Sequence, residues 1–505
     1  FNIIKDKGDV SNLKNQILDF ISLTGFGHTR GATHGKARRV NAYPHTSGNG
    51  QFAIIHNGII ENYKELYEKY LTNILPKSET DTEIVILLLE YFFSTGLNVQ
   101  NSFVKTVSLL EGAYSLAVLD KSNPDVAYLA KKKSPLVIGL GEGYNLFASD
   151  VIPMSYMTNK FIRLNDDDIA IVKRESVEVL DFRGDIVERD IFYVNSLSEK
   201  SEKGEHSHFM LKEISEQPYV IDNILNEYVG ENGEFLFNGD FYDRISSCDK
   251  VYIIGCGTSY NAGLLGKYYF EQIARTPSEV FIASEFNYNP PIITGKPLFI
   301  FLTQSGETAD VINSVKSLKG VECYTLAITN TPNSTITAET QSTLYLHAGQ
   351  EVSVASTKAY IAQVSLLGIL ASFFAERKRV ICGKPFYRLL REVSVAQYKV
   401  IAEQSIFHDI AKKFFKNAPF TFFIGRGIDY LTIIEGELKL KEISYIFSQC
   451  LPGGELKHGA LALIDNGTPV LTLITQANTA SIMRSNLSEA CARGGIPVVF
   501  SMSNL

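Results

Sequence analysis

The chain has 505 residues, room for roughly three domains of ordinary size. Hydrophobic residues make up 45% and charged residues 20%, as in a globular protein, and the net charge of −7 argues against a nucleic-acid partner. No apolar run approaches the roughly 20 residues of a membrane span, and Cys248, Cys256, Cys323, Cys382, Cys450 and Cys491 form no C-x-x-C pair or metal-ligand spacing, which fits a reducing cytoplasm.

Residues 1–195 read as an α+β domain rich in strands. FAIIHNGII (52–60) and YSLAVLD (114–120) are β-like runs. A helix is expected over 80–93, opened by the cap signals Ser78, Thr80 and Asp81. Residues 196–212 are polar and charged and read as a linker. From 213 onward strands alternate with helices, the mark of a parallel α/β sheet. Two domains are expected there, over 213–380 and 381–505.

Two stretches in the first of these share a design. VYIIGCGTS (251–259) and LFIFLTQSGET (298–308) are apolar runs that end in small, hydroxyl-rich loops. Helices are expected after them, over 260–273 and 309–318. A helix N-terminus offers unpaired N–H groups and partial positive charge, so strand–loop–helix units bind anions. Gly255 and Gly257 permit close backbone approach, and Thr258, Ser259, Ser305 and Thr308 add hydroxyls. Neither loop holds Lys or Arg, which suits one phosphate, as on a sugar phosphate. The plainer reading of either loop is an ordinary capped βα turn. Neither loop is G-x-x-x-x-G-K-[ST] or G-x-G-x-x-G, which argues against nucleoside triphosphates and dinucleotides.

The design repeats. YIIGCGTSY (252–260) matches FFIGRGIDY (422–430), with Gly255 and Gly425 offset by 425 − 255 = 170 residues. LFIFLTQSGET matches VLTLITQANT (470–479), with Thr303 and Thr475 offset by 475 − 303 = 172. Near-equal offsets indicate a duplicated domain. The second copy lacks most of the hydroxyls, so phosphate is expected only in the first. Farther on, Glu435, Lys439 and Glu442 fall at i, i+4 and i+7, on one helical face. The alternative meaning of such a stripe is a solvated Glu–Lys pair.

Together the motifs resemble one family. GHTRGATHG (27–35), HNGIIENY (56–63) and SETDTE (78–83) resemble the glutaminase half of the glutamine–fructose-6-phosphate aminotransferases. GCGTSYNAG (255–263), TQSGETAD (303–310), VASTKAY (354–360), EGELKLKEISY (435–445) and GGELKHG (453–459) resemble their sugar-isomerase half, and KGEHSHFMLKEISEQP (203–218) resembles the junction. The resemblance covers essentially the whole chain. It implies an N-terminal-nucleophile (class II glutamine amidotransferase) domain followed by two SIS domains with doubly wound parallel sheets.

The resemblance also implies residue roles. Arg30 and Asp81 would hold the carboxylate and amino group of glutamine, with Thr33 and His34 lining the same loop. A guanidinium and a carboxylate are natural partners for those charges. Asn57 and Gly58 would form an oxyanion hole, although Asn-Gly alone reads as a hairpin turn. Cys256, Gly257, Thr258, Ser259, Thr303, Gln304, Ser305, Thr308, Val354 and Ser356 would hold the sugar phosphate. Glu442 would move a proton between sugar C1 and C2, with Glu435 and Lys439 in support. His458 would open the ring, coming from the neighbouring subunit, which implies a homodimer or larger homo-oligomer. No metal or organic cofactor is implied, and no nucleic acid or membrane partner.

Two departures stand out. The family nucleophile is an N-terminal cysteine, whereas no cysteine precedes Cys248. The expectation is that an N-terminal stretch is missing here, and likewise a C-terminal tail that carries the family's Schiff-base lysine. The chain as written is expected to lack glutaminase activity. Gly31 stands where the family has Trp, which puts tight ammonia coupling in question. The alternatives are an ammonia-dependent sugar-phosphate isomerase or deaminase, and a non-catalytic sugar-phosphate sensor.

Overall fold

The computed structural model describes residues 1–505 except 9, 11–12, 14–15, 17–21, 195–202, 238, 381–383 and 503–505. The junctions at 195/196 and 380/381, the first part of the 196–212 linker, and Cys382 lie outside the described residues. The chain forms two compact units, Phe1–Lys200 and Ser201–Leu505.

The first unit is built on a six-stranded antiparallel sheet. Its central strands are Phe52–Ile60, Gly112–Asp120 and Asn123–Lys132. One face is covered by helices, chiefly Asp81–Ser94, whose Ile84–Leu89 run is buried. The other face packs Ala117, Leu119, Ala127 and Leu129 against Leu136, Ile138, Ile162 and Leu164 from a second, four-stranded layer. The capping signal operates as read. Thr80 accepts from the Glu83 N–H at 3.3 Å, and the Glu83 carboxylate accepts from the Lys77 and Ser78 N–H groups.

The second unit holds two parallel sheets of the same strand order. The first runs Ser278–Ile282, Lys250–Gly255, Pro297–Thr303, Tyr324–Thr329, Ser342–Tyr345. The second runs Phe447–Pro452, Phe420–Gly425, Pro469–Ile474, Ile496–Ser501. In both, the first strand in sequence pairs in parallel with the second and the third. Gly257 and Gly427 precede the equivalent helices with matching backbone angles, φ +51° and +56°. The left-handed region favours glycine at both. The repeat read from the offsets is therefore a repeat of structure.

Three features differ from the sequence reading. Lys358–Arg377 is a 20-residue helix long and apolar enough to cross a bilayer, which corrects the statement that no run approaches that length. Most of it is buried against the first sheet, with Ala359, Ala362, Leu366, Leu367 and Leu370 fully enclosed. Each of these leucines contributes about 1.5–3 kcal/mol by leaving water. Helix also begins at Phe209, inside the tract read as linker. Finally, Phe386–Ala402 packs on Gln217–Tyr228 of the first sheet's helical layer. Leu390 joins that core, and Ser394 Oγ donates to the Pro218 carbonyl at 3.2 Å.

Candidate active site

In the second unit, the loops after Lys250–Gly255 and Pro297–Thr303 leave adjacent strands where the strand order reverses. Ligands of open α/β sheets bind at that crevice. Thr258 and Ser259 open the Thr258–Gln272 helix, and Thr308 is the N-cap of Ala309–Ser317. Thr303 and Thr308 share a hydroxyl hydrogen bond of 2.8 Å. Ser305 Oγ accepts from the Glu307 N–H at 3.1 Å. Gln304 and Cys256 flank these loops, both half-buried, and burial pushes the Cys256 thiol up.

The segment 351–357, which carries Val354 and Ser356, is held by two carboxylates. Glu351 accepts from Ser356 Oγ and the Thr357 N–H, both at 2.8 Å. Glu213 accepts from the Val352 N–H at 2.6 Å. Val354 is fully exposed. Lys358, buried at the start of the core helix, pairs with Glu216 at 2.7 Å.

The Glu–Lys stripe lies on Ile428–Ser444 of the second copy, and it is not a solvated pair. Lys439 Nζ donates to Thr258 Oγ1 at 2.9 Å and to Glu442 Oε2 at 2.5 Å, and lies 3.3 Å from Glu435 Oε1. Thr258 Oγ1 in turn donates to Glu435 Oε1 at 2.9 Å, and Asn261 Nδ2 donates to Oε2 at 2.8 Å. Glu435 and Lys439 side chains are 7% and 14% exposed, against 36% for Glu442. Burial raises the Glu435 pKa, and the donors Asn261, Lys439 and Thr258 oppose that rise. One lysine thus joins the hydroxyl loop of the first copy to two carboxylates of the second. His458 is exposed beyond the Gly453–Lys457 turn. Among the described residues no hydrogen bond or ion pair joins it to this cluster.

The matching place in the second copy is built differently. Ile428 and Asp429 stand where the first copy has Thr258 and Ser259. Asp429 is buried, and its carboxylate accepts from both the N–H and the hydroxyl of Thr475.

In the first unit, the H-N-G segment is not a turn. His56, Asn57 and Gly58 lie within the strand Phe52–Ile60. Gly58 has φ +132°, and a Cβ there would sit 2.0 Å from the Ala113 carbonyl oxygen, so no larger residue fits without moving the sheet. Asn57 is exposed and His56 points inward. Asp81, also buried, accepts from the Ile60 N–H at 2.8 Å and so fixes the end of the same strand. Arg30 donates to the His34 and Gly35 carbonyls, and its guanidinium lies 5.8 Å from the Tyr43 ring centre. Thr33 is exposed in this loop. His56 Nδ1 bonds Thr82 Oγ1 at 2.8 Å, and Tyr43 shares that hydroxyl at 2.9 Å. Burial lowers His56 to about 4 although Asp81 opposes it, and lowers His45 to about 3.

Sequence reasoning passed over several of these residues. Asn261 lies one helical turn after Thr258, so i, i+3 spacing could have found it. Gln363 donates to Ser259 Oγ at 3.0 Å from 104 residues away, with no local signal. Glu213, Glu351 and Tyr43 are likewise visible only in three dimensions.

Comparison with known proteins bears on the domains and the family. A family model described as SIS domain matches residues 244–373 and 414–505, and one described as glutamine amidotransferase domain matches 34–154. The chain is 44% identical over 504 residues to a glutamine–fructose-6-phosphate aminotransferase (isomerising) of Bacillus cereus, covering 100% of this chain and 84% of that protein. It is 44% identical over 505 residues, with the same coverage, to the Staphylococcus aureus protein of that name. Among solved structures, the C-terminal domain of glucosamine-fructose-6-phosphate aminotransferase from Francisella tularensis is similar, with a TM-score of 0.57 and 35% identity. That match covers 60% of this chain and 87% of that one. With a glutamine amidotransferase domain, a duplicated SIS domain and full-length identity of this order, the chain belongs to the isomerising glutamine–fructose-6-phosphate aminotransferase family.

Proposed function

We propose that the protein transfers the amide nitrogen of glutamine to fructose 6-phosphate and isomerises the product, yielding glucosamine 6-phosphate and glutamate. The observation that carries this reading is the Lys439 ammonium, which bridges Thr258 to Glu435 and Glu442. A phosphate cradle and an acid/base helix then form one hydrogen-bonded site. A sensor needs only the cradle.

In this reading the phosphate lies on Gly257, Thr258, Ser259, Thr303, Gln304, Ser305 and Thr308, beside Cys256. Val354 and Ser356 close the sugar side. Ammonia condenses at C2 of the open-chain ketose and water leaves. Glu442, the most exposed of the three charged groups, takes the proton from C1 and returns it to C2. This converts the imine through an enamine to the amino aldose. Lys439 holds Glu442 in place, and Glu435 holds Lys439. The exposed His458 acts in ring opening from the second subunit of a homodimer. In the amidotransferase unit Arg30 and Asp81 receive the charged ends of glutamine, Thr33 and His34 line that loop, and Asn57 and Gly58 receive the oxyanion. The reaction runs in the cytoplasm, as the free cysteines among the described residues support.

The test supplies the full-length gene product with glutamine and fructose 6-phosphate. Glutamate and glucosamine 6-phosphate should appear in equal amounts. Product formed from ammonium but never from glutamine would leave the ammonia-dependent isomerase. Sugar-phosphate binding with no product from either donor would leave the sensor.

A further inference from the structure

Glu435 sits where the two SIS copies meet, and its two oxygens are served unequally. Oε1 has Thr258 and Lys439. Oε2 has, among the described residues, one donor: the Asn261 amide, at 2.8 Å. Asn261 is itself buried on the Thr258–Gln272 helix. We propose that Asn261 is a positioning residue for the sugar-phosphate reaction: its N–H anchors the second oxygen of Glu435 and thereby fixes the Lys439 ammonium between Glu435 and Glu442. The inference rests on the roles given above to Lys439 and Glu442.

The residue type matters. An amide supplies a donor of the right length without adding charge to an enclosed site. Leucine would fill similar space and leave a buried anionic oxygen without a donor, which favours the protonated acid. Aspartate would set a second carboxylate against the first, with the same consequence. Few other groups face Glu435. Lys439 comes from its own helix and is tied to Glu442, Thr258 is neutral, and Tyr360 comes from Lys358–Arg377, its phenol pushed up by burial. A protonated Glu435 gives Lys439 one anionic partner instead of two, and the ammonium is then free to draw Glu442 away from the sugar.

The experiment uses full-length enzyme with glutamine as nitrogen donor, from about pH 5.5 to 9, with glutamate release followed in parallel so that the two half-reactions are separated. It measures glucosamine 6-phosphate formation and calorimetric binding of fructose 6-phosphate. For Asn261→Leu the acid limb of kcat should move up by about one pH unit or more, with substrate affinity within a few-fold of the parent. Turnover near pH 6 should fall roughly tenfold and recover in part at higher pH. Asn261→Asp, nearly isosteric and so the safer variant to fold, should move the limb in the same direction. A loss of kcat uniform across pH in both variants would make Asn261 merely structural. A parental profile in Asn261→Asp would remove the role altogether. Either result with an active parent overturns this inference alone, whereas an inactive parent overturns the functional reading with it.

Discussion

The two SIS copies share a strand order and a glycine geometry, yet they have divided the work. In the first copy the loop at the switch point ends in Thr258 and Ser259, hydroxyls that can turn toward a ligand or toward the protein. In the second, the equivalent residues are Ile428 and Asp429, and the Asp429 carboxylate takes the N–H and hydroxyl of Thr475. In the second copy a carboxylate of the loop itself takes those donors; in the reading proposed above, the first copy takes its phosphate from solution. The helix that follows shows the reverse division. Thr258–Gln272 contributes Thr258 and Asn261, both neutral, while Ile428–Ser444 contributes Glu435, Lys439 and Glu442. In the proposed reading one copy grips and the other reacts, while both keep the same sheet.

That contrast can be broken at several points. The largest effect is expected at the reactive helix. Glu442→Gln should reduce glucosamine 6-phosphate formation by about 10²–10⁴-fold while calorimetric affinity for fructose 6-phosphate stays within a few-fold, because the amide cannot accept the proton. Near-parental turnover would return Glu442 to the role of a surface partner of Lys439. Thr258→Val should come next. It removes a hydroxyl that contacts two charged groups, and about 1.5–3 kcal/mol, or roughly 10–100-fold in kcat/KM, should be lost in steady-state assays. The second copy should answer in stability rather than binding. Asp429→Ala strands the Thr475 donors and should lower unfolding free energy by about 1–3 kcal/mol in a denaturant titration, with sugar-phosphate affinity unchanged. A weakened affinity there would place ligand in the wrong copy. The smallest effect belongs to Ile428→Thr, which restores a hydroxyl facing no acid of its own. Kinetics should be parental and stability within about 0.5 kcal/mol.

Much of this was legible in the sequence because it is local. The Thr80 cap, the helix carrying Glu435, Lys439 and Glu442, and the strand–loop–helix units all depend on spacings of a few residues. The repeat showed itself through equal offsets and needed no structure. Partnerships across long separations were hidden. Nothing near Gln363 announces Ser259, and nothing near Glu213 or Glu351 announces the loop they support. The burial of Glu435 and Lys439 was also hidden, since i, i+4 pairs read alike whether wet or dry. Gly58 misled in the other direction. Asn-Gly favours a turn locally, but here the glycine is demanded by a neighbouring strand, through the Ala113 carbonyl against which no side chain fits. The length of the core helix was overlooked because its scattered Ser, Gln and Tyr residues break up the apolar run.

The hydrogen bonds from Thr258 and Asn261 to Glu435 have a thermodynamic side. They cross from one sheet's helix to the other's, so the seam between the copies is also the floor of the proposed site. Any ligand seated there binds a surface that exists only while both copies are folded and docked. Its binding energy is then added to the unfolding free energy of the pair, about 2.7 kcal/mol at a ligand concentration a hundred times its Kd. Substrate occupancy and cohesion of the unit thus become one quantity. A cell rich in fructose 6-phosphate would hold this half of the protein together more tightly than a starved one.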